Sequence, residues 1–569
     1  MRLSFGSAAA SSCRIGPYQV SGVPSTPQPE IGVAFREPSK YSFYLKTPLR
    51  PLYTLITDSS QFADFPGPWP GPARRCPPYI PYRRSVLEVS IRRYTMITEE
   101  SGFNFDPKFE DPEKLKALSR RGFMGRIAGG LAAGTALLSM AGKAGAKPPM
   151  PEDHLPEPDD VAYWNWVADQ FIVRDGVSFM NTGTRGPSPA PVHRAQIAAL
   201  EGANSDYKSY TSYVYNSDFR KKMRAKMADY IGCKTTEVAF TNNTTEGMVF
   251  GTFGVDMEPG DEIVTTNHDH SSGVQPINLR AVRQGTKTVM IDLSSPDFHP
   301  PDSPDALLKA FEAAITPRTK MLSFCHINYG DGLVLPVREI CDMARSKGII
   351  TLVDGAQPPG MLDLNMHDLG CDMYAGPCHK WMMASMYTGF FYVKEDILDR
   401  VWPTLYSGPV NGLSMYGQEP TGFAKIYYDE YLSGASKFEL RGSSNAPARV
   451  AIDAALDFHN MIGPAAIESR NRYQAVRVAN ALRNMDGVDV YSSPDPRMSA
   501  ALVSFKVSGV GTRDLNDMLW DRHRIYIRNV THDEINWDAN RTSMHVMVTD
   551  AQTDQFIGAV EEIAKEKRL

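Results

Sequence analysis

A carboxylate and an amine stand where they can share one site. The apolar run Ile349-Ile350-Thr351-Leu352-Val353 stops at Asp354, and Gly355-Ala356-Gln357 follow. A second short run, Cys371 to Ala375, leads through Gly376-Pro377-Cys378 to His379-Lys380-Trp381. Short, β-branched and closed by a turn signal, the first run reads as a buried parallel strand. The carboxyl end of such a strand is where open α/β sheets bind ligands, and a lysine soon after the next strand reaches the same crevice. Together the acid and the amine suggest pyridoxal phosphate (PLP). That cofactor needs a lysine to bond its aldehyde and an acidic partner for its pyridine nitrogen. Taken singly, each residue reads equally well as a strand-end aspartate or a surface lysine, and the elements around them decide.

Those elements alternate between strand and helix. Phe179 to Thr184 reads as a short strand and loop, and Phe219 to Tyr230 as a helix closed by Ile231-Gly232. Glu237 to Thr241 is a strand running into Asn242-Asn243-Thr244-Thr245-Glu246-Gly247. Consecutive hydroxyls at such a turn suit a phosphate, with helix-start N–H groups adding donors; an N-cap and turn fit the same residues. Glu262 to Thr266 is a strand ending near His268 and His270, and no further ligands at suitable spacing accompany those histidines, so no metal site is expected. Met321 to His326 is a strand and Val337 to Lys347 a helix. This alternation predicts a mainly parallel, seven-stranded-type sheet in a large α/β domain. Beyond Ala446 the character changes. Helices are expected at Ala448–Asn460, Pro464–Met485, Asp514–His523 and Thr553–Lys565. Strands are expected at Ala501–Val507, Ile525–Arg528 and Ser543–Val548, which makes a smaller α/β domain.

The chain has 569 residues, 42% hydrophobic and 22% charged, with a net charge of −5. That is ordinary globular composition, with no electrostatic reason to expect nucleic acid. No apolar segment is long enough for a stable membrane span. The seven cysteines have neither disulfide-framework nor metal-ligand spacing. Residues 1–95 are rich in proline, serine and arginine and read either as a disordered basic tail or as a mis-annotated extension ahead of a start at Met96. The second reading is preferred because the segment after Met96 looks like an N-terminal signal. Ser119-Arg120-Arg121-Gly122-Phe123-Met124, a Gly/Ala-rich apolar stretch and Ala144-Gly145-Ala146 resemble a twin-arginine export signal, here spanning 96–146 and cleaved near Ala146. It departs from the usual pattern at Met124 and Gly125. A Pro/Asp/Glu linker covers 147–160. The expected location is the periplasm, reached through the twin-arginine translocation machinery.

In combination these motifs resemble the class V aminotransferases of fold type I, and most closely their isopenicillin N epimerase-like branch, over nearly all of 161–569. Cys378-His379-Lys380-Trp381 and the Gly-Phe-Phe-Tyr-Val strand at 389–393 carry the likeness. The resemblance implies a large PLP domain at 161–440, a small domain at 441–569 and a homodimer acting on an amino acid or peptide. It implies that Lys380 bonds the cofactor and that Asp354 holds the pyridine nitrogen protonated. Ala356 and His270 would cover the two ring faces, and Gln357 would sit by the ring hydroxyl. Thr244, Thr245 and His379 would lie at the phosphate, joined by Ser443 from the partner subunit, and Arg528 would pair with the substrate carboxylate. Pro377 departs from a frequent phosphate-binding serine, and Tyr329 stands where some relatives place an asparagine. Epimerisation, transamination and elimination share the same first steps. A cysteine desulfurase and an inactive binding protein are the alternative readings; Lys380, Asp354, His270 and Arg528 together oppose the second.

Overall fold

The structure is a computed structural model. It describes residues 156–567 except 215–216, 295–302, 411–412, 414–416 and 433. The export signal, the residues before it and most of the linker lie outside the described residues.

A two-residue strand β1 (Ser178–Phe179) precedes the main sheet. That sheet is built from β2 (Val238–Thr241), β3 (Glu262–Thr266), β4 (Lys287–Ile291), β5 (Thr319–Cys325), β6 (Ile350–Asp354), β7 (Met373–Pro377) and β8 (Gly389–Val393). Its order is β2-β8-β7-β6-β5-β3-β4, which places β6 at the centre. β8 runs antiparallel to both β2 and β7, and the other pairings are parallel. The expected mainly parallel seven-stranded sheet is therefore present.

Alternate residues of these strands fill two apolar clusters. Val353, Tyr374, Phe390 and Tyr392 belong to one. Leu352, Met373, Phe391 and Val393 belong to the other. Burial on both faces explains why the strands read as continuous apolar runs. Helix α1 (Thr244–Gly254) and helix α2 (Ser271–Gln284) contribute Met248, Phe250 and Ile277 to the second cluster. Helix α3 (Val337–Ser346) and helix α4 (Ala446–Ile462) contribute Ile340, Ala344, Ile452 and Leu456 to the first. α1 lies unusually close to the sheet. A Cβ on Gly247 would stand 2.7 Å from the Ala375 Cβ, and one on Gly251 would stand 2.5 Å from a Leu352 methyl. That closeness sets the start of α1 against the ends of β6 and β7.

Helix α5 (Pro464–Arg483), β9 (Val488–Val490), β10 (Leu502–Val507), helix α6 (Thr512–His523), β11 (Ile525–Tyr526), β12 (Arg528–His532), β13 (Trp537–Ser543) and helix α7 (Asp550–Glu566) complete the chain. The second sheet runs β12-β13-β10-β9, all antiparallel, and packs on α5, α6 and α7. β11 leaves this sheet and pairs in parallel with β1, tying the early segment to the late one.

Two strand expectations are corrected. The strand expected at Ile525–Arg528 is two strands, separated at Ile527. The strand expected at Ser543–Val548 ends where it was meant to begin. Met544, Val546 and Val548 alternate and are buried, but in a turn closed by the Val548 N–H on the His545 carbonyl at 2.8 Å. The true strand, Trp-Asp-Ala-Asn-Arg-Thr-Ser, is mostly polar and shows no apolar alternation. Among the described residues no helix is long and apolar enough to cross a membrane, and no group of histidine, cysteine and acidic residues is placed to hold a metal.

Candidate active site

Asp354 ends β6 in a buried position, and its Oδ1 accepts the Ala356 N–H at 2.9 Å. Burial, and then the neighbouring Asp269 carboxylate, raise its pKa to about 6 against the opposing pull of Lys380. Asp269 is itself buried and saturated with donors. It accepts the Thr265 hydroxyl at 3.1 Å, the Thr266 N–H at 2.9 Å, the Thr266 hydroxyl at 2.8 Å and the Cys325 N–H at 2.6 Å. Cys325 is the register partner of Asp354, so Asp269 fixes the strand end that presents Asp354. A Cβ on Gly273 would lie 3.3 Å from Asp354 Oδ2, and the glycine there keeps one side of the carboxylate open.

Lys380 follows β7. Burial, the Arg541 guanidinium and Arg528 bring its pKa down to about 8, with Asp354 opposing them. At neutral pH a usable fraction of the amine is thus uncharged. The segment around it is clamped. His379 donates Nδ1–H to the Thr388 carbonyl at 2.9 Å. The Gly186 N–H donates to the His379 carbonyl at 3.0 Å, and a Cβ on Gly186 would meet the Lys380 carbonyl oxygen at 2.0 Å.

Gln357 and Trp381 belong to a hydrogen-bond chain whose direction is fixed. Gln357 donates Nε2–H to the Gly183 carbonyl at 3.0 Å and accepts from Trp381 Nε1–H at 2.8 Å. His545 Nδ1 accepts the Met547 N–H at 3.2 Å, so its Nε2 carries the proton shared with the Trp381 carbonyl at 3.3 Å. Burial, then the neighbouring His459, lowers the pKa of His545 to about 3, keeping it neutral.

His270 caps α2 by accepting the Ser272 N–H on Nδ1 at 3.1 Å. Its ring meets Tyr329 edge-on, centroids 4.9 Å apart at 82°. Burial and the nearby Lys380, Arg528 and Arg541 charges lower its pKa to about 4, so it offers a neutral imidazole face. Thr244 and Thr245 open α1 behind the N-cap Asn243, which presents helix-start N–H groups and two hydroxyls together. Ser443 lines a cavity of about 470 Å³ with Asn242 and Glu246 at that end of α1, and with Tyr387 and Arg441. Glu246 and Arg441 are ion-paired there at 2.9 Å.

Arg528 begins β12, exposed, and donates to the Thr184 hydroxyl at 3.2 Å. The structure brings a second arginine to the same place. Arg541 is buried on β13 as the register partner of Arg528. It donates to the Tyr329 carbonyl at 2.6 Å, to Thr184 Oγ1 at 3.2 Å and to Asn181 Oδ1 at 3.4 Å. Burial, then Arg528, lowers its pKa to about 9. The displaced strand boundary concealed it; the signal in the sequence was an arginine inside an otherwise uncharged Asn-Arg-Thr-Ser run. Asp269 and Thr184, which sequence reasoning did not single out, join the site too, as does Trp381, which the sequence offered only as part of the Cys378–Trp381 motif without a role.

The profile of the family described as "Aminotransferase class-V" matches residues 188–555. The chain belongs to the class V aminotransferase family. It is 28% identical over 414 residues to the isopenicillin N epimerase of Amycolatopsis lactamdurans, covering 71% of this chain and 99% of that protein. It is 25% identical to a probable cysteine desulfurase of Methanothermobacter thermautotrophicus, covering 69% and 96%. Among solved structures, the apo cysteine desulfurase of Thermococcus onnurineus superposes with a TM-score of 0.61 at 24% identity, covering 73% and 100%. A C–S lyase in complex with its product cysteine persulfide gives 0.60 at 24% identity, covering 69% and 99%. The fold is that of the fold-type-I PLP enzymes, and this class V chain is a PLP-dependent enzyme. Its residues fit the cofactor: a buried carboxylate, an amine of lowered pKa, hydroxyls at a helix N-terminus and a neutral imidazole face.

Proposed function

We propose that this enzyme acts at Cα or at the amino group of an amino acid or a peptide amine, by epimerisation or transamination, and does not transfer sulfur. The convergence of Asp354, Lys380 and Arg541 carries this reading. When bound, PLP supplies an electron sink for the charge that develops at Cα. Asp354, buried on a central strand, would hold a proton on the pyridine nitrogen. Lys380 Nζ would hold the cofactor aldehyde carbon, and its amine, of lowered pKa, would serve as the base for the Cα proton. Thr244, Thr245 and His379 would hold the phosphate, Ala356 and His270 the ring faces, and Gln357 the ring hydroxyl. Arg541 takes the substrate α-carboxylate, because its buried charge faces only neutral acceptors.

A desulfurase needs a mobile, exposed thiol to accept sulfur. The loop after Arg528 reads Asn-Val-Thr-His-Asp-Glu, and no cysteine follows Cys378. Cys378 is buried beside the clamped Lys380 segment, and burial pushes its thiol well above the usual range. The working unit in this reading is a homodimer. The exposed Tyr387 and Leu405, which line the Ser443 cavity, support a covered surface. Export through the twin-arginine route, with cleavage near Ala146, is proposed from Arg120-Arg121 and the small residues that follow.

The test is to incubate holoenzyme with amino acids and peptides in D2O, following the PLP spectrum and the products by mass spectrometry. Cα deuteration with inversion or keto-product formation is expected. Stoichiometric alanine and protein-bound persulfide from cysteine, at a rate matching the best other substrate, would refute the reading.

A further inference from the structure

Arg528 and Arg541 are direct cross-strand neighbours. Like charges placed so oppose each other and destabilise the sheet unless something negative lies between them. Among the described residues neither guanidinium has an acidic partner within 4 Å; their acceptors are the Tyr329 carbonyl, the Asn181 amide oxygen and the Thr184 hydroxyl. Asp354 acts on Lys380 nearby, and Glu534 is largely exposed and engaged with His532 at 3.2 Å. Arg541 Nε is buried without a partner.

The pair is therefore a receptor for two negative charges. A simple α-amino acid brings one. Nor does a single carboxylate bridging both cations fit well. Thr184 Oγ1 already stands between them, 3.2 Å from each, with its own hydrogen donated to Asn181 Oδ1 at 2.8 Å. The two cations also differ in depth, Arg541 buried and Arg528 at the solvent edge. Each has N–H groups left for a separate acceptor.

We infer that the substrate is an acidic amino acid, with its α-carboxylate on Arg541 and a second carboxylate on Arg528, so that Arg528 is the specificity-determining residue. This rests on the function proposed above and narrows its substrate class.

The experiment uses amine-free probes, which cannot react with the cofactor. Succinate, glutarate and adipate, and the monocarboxylate butyrate, are titrated calorimetrically into the holoenzyme at fixed ionic strength. At least one dicarboxylate should bind about tenfold tighter than butyrate, the size of one charge-assisted contact. Arg528→Gln should reduce that ratio to near one while leaving butyrate affinity within about twofold, and Arg528→Lys should restore part of it. Equal affinities in the wild type, a preference that survives Arg528→Gln, or no dicarboxylate binding would each overturn the inference. Failure of the parent reading shows separately, as stoichiometric alanine and protein-bound persulfide formed from cysteine.

Discussion

Two buried charges in this molecule are treated in opposite ways. Glu439 lies behind β2, with Arg224 at 2.9 Å, Arg449 at 3.0 Å and the Phe240 N–H at 3.1 Å. Burial pushes its pKa up, but the two guanidinium groups outweigh that and hold it at about 2. Arg541, also buried, has no acid within 4 Å among the described residues and faces another arginine. The first charge is answered within the fold and is architecture. The second is left unanswered, and an uncompensated buried charge persists in a protein when a ligand answers it.

Substitution should separate them. Glu439→Gln removes the carboxylate that Arg224 and Arg449 share and should cost about 3–5 kcal/mol of stability, seen as a large fall in the urea midpoint. Arg541→Met should leave the unfolding free energy of the apo protein unchanged or raised, yet lower kcat/KM by about 10²-fold or more. A strongly destabilised Arg541→Met protein would place Arg541 in the architecture with Glu439.

Acid should act on the architecture through its neutral histidines. Burial lowers His326 to about 3, His459 to about 4 and His545 to about 3. The unfolded chain takes up these protons near pH 6.5 and the folded chain only near 3–4. Between those values the unfolded state binds more protons, so stability is full above about 6.5 and declines toward 4. Asp354, raised to about 6, works in the opposite direction between its ordinary value near 4 and pH 6. His270, lowered to about 4, adds to the three histidines, and the raised Asp269 adds to Asp354; the histidines prevail, and apo-protein unfolding should show a net loss on the order of a few kcal/mol across that window. A flat profile would mean that the histidines are not neutral in the fold.

Trp381→Phe gives the smallest effect. It leaves Gln357 Oε1 buried without its donor, a loss of about 1–3 kcal/mol. Faster PLP dissociation with little change in the substrate KM is the expected pattern. Unchanged cofactor retention would show that the Gln357 chain does not support the site.

The sheet was legible in the sequence because strands buried on both faces leave apolar runs with sharp polar ends. Asp354, Lys380 and the hydroxyl pair at Thr244 stand at such ends. Arg541 was hidden by the same logic working in reverse. Its strand is polar because it lines a site, and the alternating Met544-His545-Val546-Met547-Val548 that mimics a strand beside it is a buried turn. The parts of Asp269 and Trp381 were not legible either, since Asp269 meets the Cys325 N–H across 56 residues and Trp381 joins Gln357 and His545 across 24 and 164.

The central claim is that Lys380 carries the cofactor, and borohydride reduction of the holoenzyme followed by peptide mapping tests it most directly. A stable phosphopyridoxyl adduct on Lys380, absent in Lys380→Ala together with the visible absorbance, is the predicted result. An adduct on any other lysine would contradict the account.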